Sequence, residues 1–351
     1  MRGPIKVGIV GLGTRGRRYA EVFATLRDSE LRWVCGVEPG RLEAVELYPR
    51  AAPTSSLDKR LADESLEAVV VACPLPERLV AASAALAAGK HVFVEGPLSG
   101  SAEDVLDLAA RARQCGRCLF IGSAVLFDPA LRKLEEIVET GPLGELLYLH
   151  AENRTLGGVE RSADVLWTLG ARDLAAILYL LDDIPVTVSA SGEAHLRPDS
   201  CDVIFCLLRF ATGVNARLHL SRLDPQTVRR LTLVGSRRMA VHDETVGARG
   251  LTLFEHSISR PRPSGRAQRI RIRPGDVLSP VLPGDDPDVL MCETFLAAVR
   301  RGRPLDAEAR LATNVASVLE ALEASIEAGG AAQPVVVPTP RLPNVVALDR
   351  R

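Results

Sequence analysis

Short, continuous apolar segments alternate with helical patterns through the first third of the chain. Such segments, without polar alternation, are typical of strands that are covered on both faces of a parallel sheet. They lie at Ile5–Val10, Leu31–Val37, Ala68–Ala72, His91–Val94 and Cys118–Gly122. Between and after them, helical stretches lie at about 16–26, 77–88 and 102–115. This β-α-β repetition predicts an α/β fold with a doubly wound parallel sheet.

The pattern changes after Gly122. Helical segments are predicted at 129–139, 165–181, 288–300 and 308–328. Alternating segments at 186–192, 202–210, 214–221, 228–234 and 238–242 predict strands joined by short turns. We therefore expect an N-terminal doubly wound domain over 1–123, an α+β domain with an open antiparallel sheet over 124–335, and a tail over 336–351.

Composition adds several exclusions. Lys and Arg together number 43 and Asp and Glu 44, so the net charge is −1 and no clustered positive field indicates a nucleic-acid or membrane surface. The seven cysteines are odd in number and lie mostly within apolar segments. Reduced thiols in a cytoplasmic protein are the expectation, and no metal site is predicted, although Cys115 and Cys118 have C-x-x-C spacing.

A glycine-rich turn follows the first strand and opens a helix, with the sequence Gly11-Leu12-Gly13-Thr14-Arg15-Gly16. Glycines in this context allow a tight turn and close approach to a pyrophosphate at the helix N-terminus, which is the arrangement of a Rossmann domain. We expect Gly11, Gly13, Thr14 and Arg15 to contact the nucleotide. Glu38 ends the second strand, where a carboxylate accepts hydrogen bonds from the ribose hydroxyls and favours NAD, while nearby Arg41 leaves NADP open.

Several motifs in order resemble the Gfo/Idh/MocA family of oxidoreductases, which pair a Rossmann domain with an open-faced sheet. The segment 91–98, HVFVEGPL, resembles the family's "HVFVEKP" signature, 72–74 its "ATP" loop, and 141–145 its "G.iGe" turn. The resemblance implies cofactor contacts by Cys73, Pro74, Glu95 and Pro97. For Cys73 simple packing is the alternative, and Glu95 equally fits a role in holding the strand-end turn.

The residues that carry chemistry in this family are replaced. The resemblance puts Gly96 at the position of the catalytic Lys, Thr168 at that of the Asp and Arg172 at that of the His, followed by a retained Asp173. Glycine cannot hold a hydroxyl or move a proton, and a guanidinium stays protonated and cannot act as a general base. Arg172 could still hold a carbonyl, carboxylate or phosphate.

Three functions remain open at this point. The first is an enzyme with altered chemistry that reduces a C=N, C=C or C=O bond of a small molecule, with Arg172 or Asp173 orienting the substrate and water supplying the proton. The second is a catalytically inactive NAD(H)-binding subunit that senses nucleotide or partners an active paralogue. The third is a conventional sugar or polyol dehydrogenase with Asp173 or Tyr179 as base. The resemblance implies a sugar or nucleotide-sugar substrate and a homo-oligomer.

Overall fold

The structure is a computed structural model that describes residues 3–36, 52–54, 57–157, 164–259, 271–302 and 305–339. Within these ranges the chain forms two large sheets and a separate two-stranded ribbon. No helix in the described ranges has the length and apolar character that crossing a membrane requires.

The first sheet is parallel and has six strands in the order β3-β2-β1-β4-β5-β6, which confirms the predicted doubly wound sheet. Its strands are β1 Ile5–Val10, β2 Ser29–Cys35, β3 Ala52–Thr54, β4 Ala68–Val71, β5 His91–Glu95 and β6 Leu119–Gly122. The helices beside it are α1 Thr14–Thr25, α2 Leu57–Leu61, α3 Leu75–Ala87 and α4 Ala102–Gln114. Strand β3 was not predicted. The chain adds β2 and β3 on one side of β1 and then β4, β5 and β6 on the other. The glycine turn that follows β1 therefore lies where the strand order reverses, which is where such folds bind ligands.

The second sheet has nine strands in the order β16-β13-β12-β11-β7-β10-β9-β8-β17. Their bounds are β7 Leu146–Leu156, β8 Thr187–Glu193, β9 Val203–Arg209, β10 Asn215–Ser221, β11 Leu223–Gly235, β12 Met239–Asp243, β13 Leu251–Phe254, β16 Val277–Leu278 and β17 Gln333–Pro334. The ribbon pairs β14 Ser257–Ser259 with β15 Arg271–Arg273. The sheet is mixed and not purely antiparallel as expected, because β7 and β10 run parallel.

Strand β7 is the largest element that the sequence pattern missed. Leu149, Ala151 and Asn153 on one face are buried, whereas His150 and Glu152 on the other face are partly exposed. Because the strand begins with four apolar residues, Leu146–Leu149, and continues with mostly polar ones, this alternation is weak in the sequence. The strand nevertheless lies in the middle of the sheet, between β11 and β10, and it carries Asn153 to the candidate site.

The remaining helices are α5 Pro129–Thr140, α6 Ala171–Leu181, α7 Pro287–Arg301 and α8 Asp306–Glu327. The helix predicted over 165–181 is divided, since a wider helical turn over Leu166–Gly170 precedes α6. In α7, Met291 and Phe295 are fully buried, and the Phe295 ring centroid lies 5.6 Å from that of Phe93 in β5. The chain therefore returns to the first domain after building the second, a feature that the predicted boundaries do not contain.

Candidate functional site

The glycine turn packs against the residues that follow β4, and Gly11 has no space there for a side chain. Gly11 has a φ of +93°, and a Cβ there would lie 2.5 Å from the backbone nitrogen of Cys73. A Cβ on Gly16 would lie 1.9 Å from the Gly11 carbonyl oxygen. Gly13 precedes α1 without a side-chain cap, and the first turn of the helix contains no acidic residue. The N–H groups at a helix start, beside glycines that let the backbone come close, fit a pyrophosphate.

The other residues predicted to contact the cofactor lie at or just after the carboxyl ends of β4 and β5: Cys73, Pro74, Glu95 and Pro97. Burial raises the pKa of the Cys73 thiol to about 11, so this thiol is not a nucleophile at neutral pH. Arg78 donates to three backbone carbonyl oxygens, those of Cys73 at 2.9 Å, Glu95 at 2.9 Å and Pro97 at 2.7 Å. Arg78 thus holds together the two strand-end loops that contain the predicted residues 73–74 and 95–97. Glu38 lies outside the described residues, and its predicted ribose contact stays a prediction.

Arg15 ties the glycine turn to strand β5 and to helix α7. Its guanidinium contacts Glu95 at 3.2 Å, Asp288 at 2.7 Å and the Tyr19 hydroxyl at 2.8 Å. The Tyr19 hydroxyl also contacts the Glu95 carboxylate. Burial raises the pKa of Glu95, and the adjacent Arg15 charge opposes this rise. Arg15 and Glu95 were predicted to contact the cofactor, and both line a cavity at the carboxyl end of β5. Asp288 and Tyr19 were not predicted.

A cavity of about 260 Å³ lies where the carboxyl ends of β5 and β6 meet helix α6 and strands β7 and β11. This one cavity is lined by all three residues that the resemblance puts at the family's catalytic positions: Gly96, Thr168 and Arg172. No Lys, His or Tyr side chain is among the described residues that line it. Its apolar lining is made of small and aliphatic side chains, including Ala124, Ala171, Ala175, Leu311, Ala312 and Val315.

Gly96, which the resemblance puts at the position of the catalytic Lys, leaves little space for a side chain. A Cβ on Gly96 would lie 2.9 Å from the Gly122 carbonyl oxygen, to which the Gly96 nitrogen donates a hydrogen bond of 2.9 Å. The Thr168 hydroxyl donates to the Asp164 carbonyl at 2.9 Å and contacts the guanidinium of buried Arg222. Neither position therefore offers a group that could exchange a proton with a substrate.

Arg172 is held by a carboxylate from the second sheet. Its two terminal nitrogens each lie 2.7 Å from an oxygen of Glu244, which follows β12 in a short helical turn. The side chains are 33% and 18% exposed. Burial lowers the pKa of Arg172, but the charge and hydrogen bond of Glu244 together with the charges of Asp173 and Asp128 more than offset this, so the guanidinium stays charged. The bidentate pair with Glu244 occupies the two terminal nitrogens that would otherwise be available to hold a substrate group.

Asp173 follows Arg172 in α6 and is not among the described residues that line the cavity. Its Oδ1 accepts a hydrogen bond of 3.5 Å from Asn153, and its Oδ2 is buried without a hydrogen-bond partner among the described residues. Burial raises the pKa of Asp173 to about 7, while the charge of Arg172 acts in the opposite direction and that of Glu244 in the same direction. Asn153, only 3% exposed, lines the cavity and is the polar side chain between Asp173 and that space.

Five contributing residues were outside the predicted set: Tyr19, Arg78, Asn153, Glu244 and Asp288. Glu244 and Asp288 come from segments far along the chain, and no local pattern marks them. Asn153 had a signal, because it is a polar residue in the buried phase of an alternating strand. Such a position is a candidate for a site once the strand is recognised.

Comparison with known proteins assigns the family. A model described as "Oxidoreductase family, NAD-binding Rossmann fold" matches residues 5–123, and the "GFO/IDH/MocA C-terminal domain" matches 131–241. The chain belongs to the Gfo/Idh/MocA family of oxidoreductases, and its first domain is the NAD-binding Rossmann domain of that family.

Individual relatives are dehydrogenases named for different substrates. The chain is 28% identical over 152 residues to a 1-carboxy-3-chloro-3,4-dihydroxycyclohexa-1,5-diene dehydrogenase of Comamonas testosteroni, over 43% of this chain and 38% of that protein. It is 28% identical to an inositol 2-dehydrogenase of Acidothermus cellulolyticus, over 62% and 66%. The chain thus matches less than two thirds of these relatives. A UDP-N-acetylglucosamine 3-dehydrogenase structure from Acidithiobacillus ferrooxidans superposes with a TM-score of 0.76 at 25% identity, over 94% and 99% of the two chains.

Proposed function

We propose that this protein is an NAD(P)-dependent oxidoreductase that reduces a C=N, C=C or C=O bond of a small, sugar-like ring molecule. The supporting observation is the cavity that joins the strand-end loop 95–97 to helix α6 and strand β7 while no Lys, His or Tyr is among its described lining residues. A nicotinamide nucleotide bound in the cradle supplies the hydride. The named relatives act on a carboxylated ring diol, an inositol and a nucleotide sugar.

The substrate class in this proposal is argued from the described lining, in which no Lys, His or Tyr occurs and the carboxylate of Glu95 is bound to Arg15. Interconversion of an alcohol and a ketone moves a hydroxyl proton as well as a hydride, and general acid–base assistance is typically worth about 10²–10⁴-fold in either direction. Reduction of an imine, iminium or conjugated alkene is less dependent on such a group, because the electrophile is more reactive and water can supply the proton. Within this proposal, a C=N or conjugated C=C substrate is therefore favoured over a sugar alcohol or its ketone.

Asn153 and Asp173 orient the substrate in this proposal. The Asn153 amide reaches the cavity, and Asp173 behind it fixes the amide through the 3.5 Å hydrogen bond. Asp173 is thus a positioning residue, and Arg172, held by Glu244, supplies a rigid polar wall. The two residues predicted to be catalytic therefore stay in the proposal, Asp173 as a positioning residue and Arg172 as part of the cavity wall.

The test is NADH oxidation by the purified chain with a panel of cyclic imines, enones and ketones. We expect Asp173→Asn, which keeps an acceptor for the Asn153 amide, to retain kcat within about 3-fold, and Asp173→Leu to lose about 10-fold or more, as for a lost charge-assisted hydrogen bond. Equal activity of the leucine variant would remove Asp173 from the mechanism, and oxidation of polyols faster than any reduction would contradict the proposed direction.

A second candidate is an NAD(H)-binding subunit without catalysis. It is favoured by the contrast between an intact nucleotide cradle and a lysine position where a Cβ would lie 2.9 Å from a carbonyl oxygen. NADH binding without turnover of any substrate in the panel, together with co-purification of a homologue that has an intact "EKP" motif, would favour this candidate.

A further inference from the structure

The charged groups that line the cavity are unequally paired. Among the described lining residues, Arg15, Arg172 and Arg229 are cationic, and Glu95 and Glu308 are anionic. Arg15 binds Glu95 and also Asp288, and Arg172 forms a bidentate pair with Glu244. Arg229 forms no ion pair with a carboxylate among the described residues. Its charge lowers the pKa of Asp173, which burial raises.

Arg229 and Asn153 lie side by side in the wall of the cavity. They are directly opposed in the antiparallel pairing of β11 with β7, where both residues project to the same face of the sheet. Asn153 is buried, and Arg229 is exposed where the cavity opens. One N–H of the Asn153 amide points to Asp173, and an amide nitrogen has a second proton to donate.

The surroundings favour an anion at this place over a neutral hydroxyl. Arg229, the cation of the lining that has no carboxylate partner among the described residues, lies on β11 of the second sheet. The two carboxylates of the lining lie elsewhere, Glu95 on β5 of the first sheet and Glu308 at the start of α8. Asp173 would repel an anion if it were charged, and the raised pKa of its carboxyl reduces that repulsion near neutral pH. A guanidinium with an adjacent amide donor is suited to a planar or tetrahedral oxyanion.

We infer that Arg229 and Asn153 form an oxyanion subsite that takes a carboxylate or phosphate group of the substrate. This inference rests on the proposed function, since it names a property of the same substrate. The anion is held at the sheet, and the ring extends along the small apolar side chains toward the strand-end loop 95–97. Arg229 then acts as a specificity-determining residue that selects acidic substrates from neutral ones.

The experiment measures binding by calorimetry on the full chain, with and without NADH. The probes are cyclohexanecarboxylate, inorganic phosphate and the neutral cyclohexanol. We expect one of the two anions to bind, Arg229→Gln to weaken that binding about 10-fold or more, and Arg229→Lys to weaken it less, because lysine keeps the charge but not the fork. The anion that binds more tightly, carboxylate or phosphate, identifies which acidic group of the substrate the subsite takes.

Arg230→Gln is the matched control. Arg230 is the next residue of β11, lies on the opposite face and pairs with Asp243 at 2.7 Å, so this variant should bind the anions as the unaltered chain does. Absence of binding by both anions at about 50 mM, or equal binding by Arg229→Gln, would overturn the inference. Arg229-dependent anion binding without any NADH turnover would support the subsite while contradicting the proposed function.

Discussion

The nucleotide cradle and the substrate side of the cavity are built from different kinds of contact. The cradle consists of backbone, with Gly11 and Gly16 packed so closely that a Cβ would meet main-chain atoms at 2.5 and 1.9 Å. The substrate side consists of charged side chains from separate elements, such as Arg172 and Glu244. Backbone geometry tolerates few substitutions, whereas a side-chain set can be exchanged as a group. In this chain, the cradle is therefore expected to tolerate fewer substitutions than the cavity beside it.

The largest effect is expected in the cradle. Gly11→Ala places a methyl group 2.5 Å from the Cys73 nitrogen at a φ of +93°, so the turn must shift. We expect NADH affinity, followed by nicotinamide fluorescence, to fall about 10- to 100-fold, as a backbone displacement of this kind costs roughly 1–3 kcal/mol. Gly116→Ala is the control, because Gly116 has a positive φ but no atom within 4 Å of its Cβ position. Unchanged affinity in Gly11→Ala would show that the cradle does not bind nucleotide.

On the substrate side, Arg172→Ala and Glu244→Ala should each lower the free energy of unfolding by about 1–3 kcal/mol, because each leaves a partly buried charge unpaired. The double variant should lose less than the sum of the two. Chemical denaturation of the four proteins gives this double-mutant cycle. NADH affinity should stay unchanged in all of them, and a parallel loss of affinity would contradict the independence of the two regions.

A separate effect, on the pH dependence of stability, concerns the ionisation of Asp173. Its pKa of about 7 in the fold exceeds the value of about 3.9 expected for an unfolded chain, so the folded state favours the neutral acid. The stability that this group contributes is present at low pH and is lost as the pH rises from about 4 through 7. The melting temperature of Asp173→Asn should therefore rise relative to the unaltered chain between pH 4 and pH 8. A difference in melting temperature that stays constant over this range would contradict the raised pKa of Asp173.

Local patterns were sufficient for five of the six strands of the first sheet and missed only β3. Buried parallel strands are short apolar segments, and a glycine turn at the first strand end has a physical requirement that sequence displays directly. The same patterns predicted most strands of the second sheet, but they missed β7 and the parallel pairing of β7 with β10. In β7 a run of apolar residues is followed by His150, Glu152 and Arg154, so the strand shows no clear alternation and its position depends on its neighbours.

The residue types at the candidate site were readable before the structure, including the glycine at position 96 and the arginine at 172. Only the tertiary structure decided what these residues can do. It pairs Arg172 with Glu244, places Asp173 behind Asn153 and leaves Arg229 facing the cavity. The physical reason is that backbone requirements are local and appear as residue identity, whereas the charge state and availability of a side chain depend on partners from distant segments.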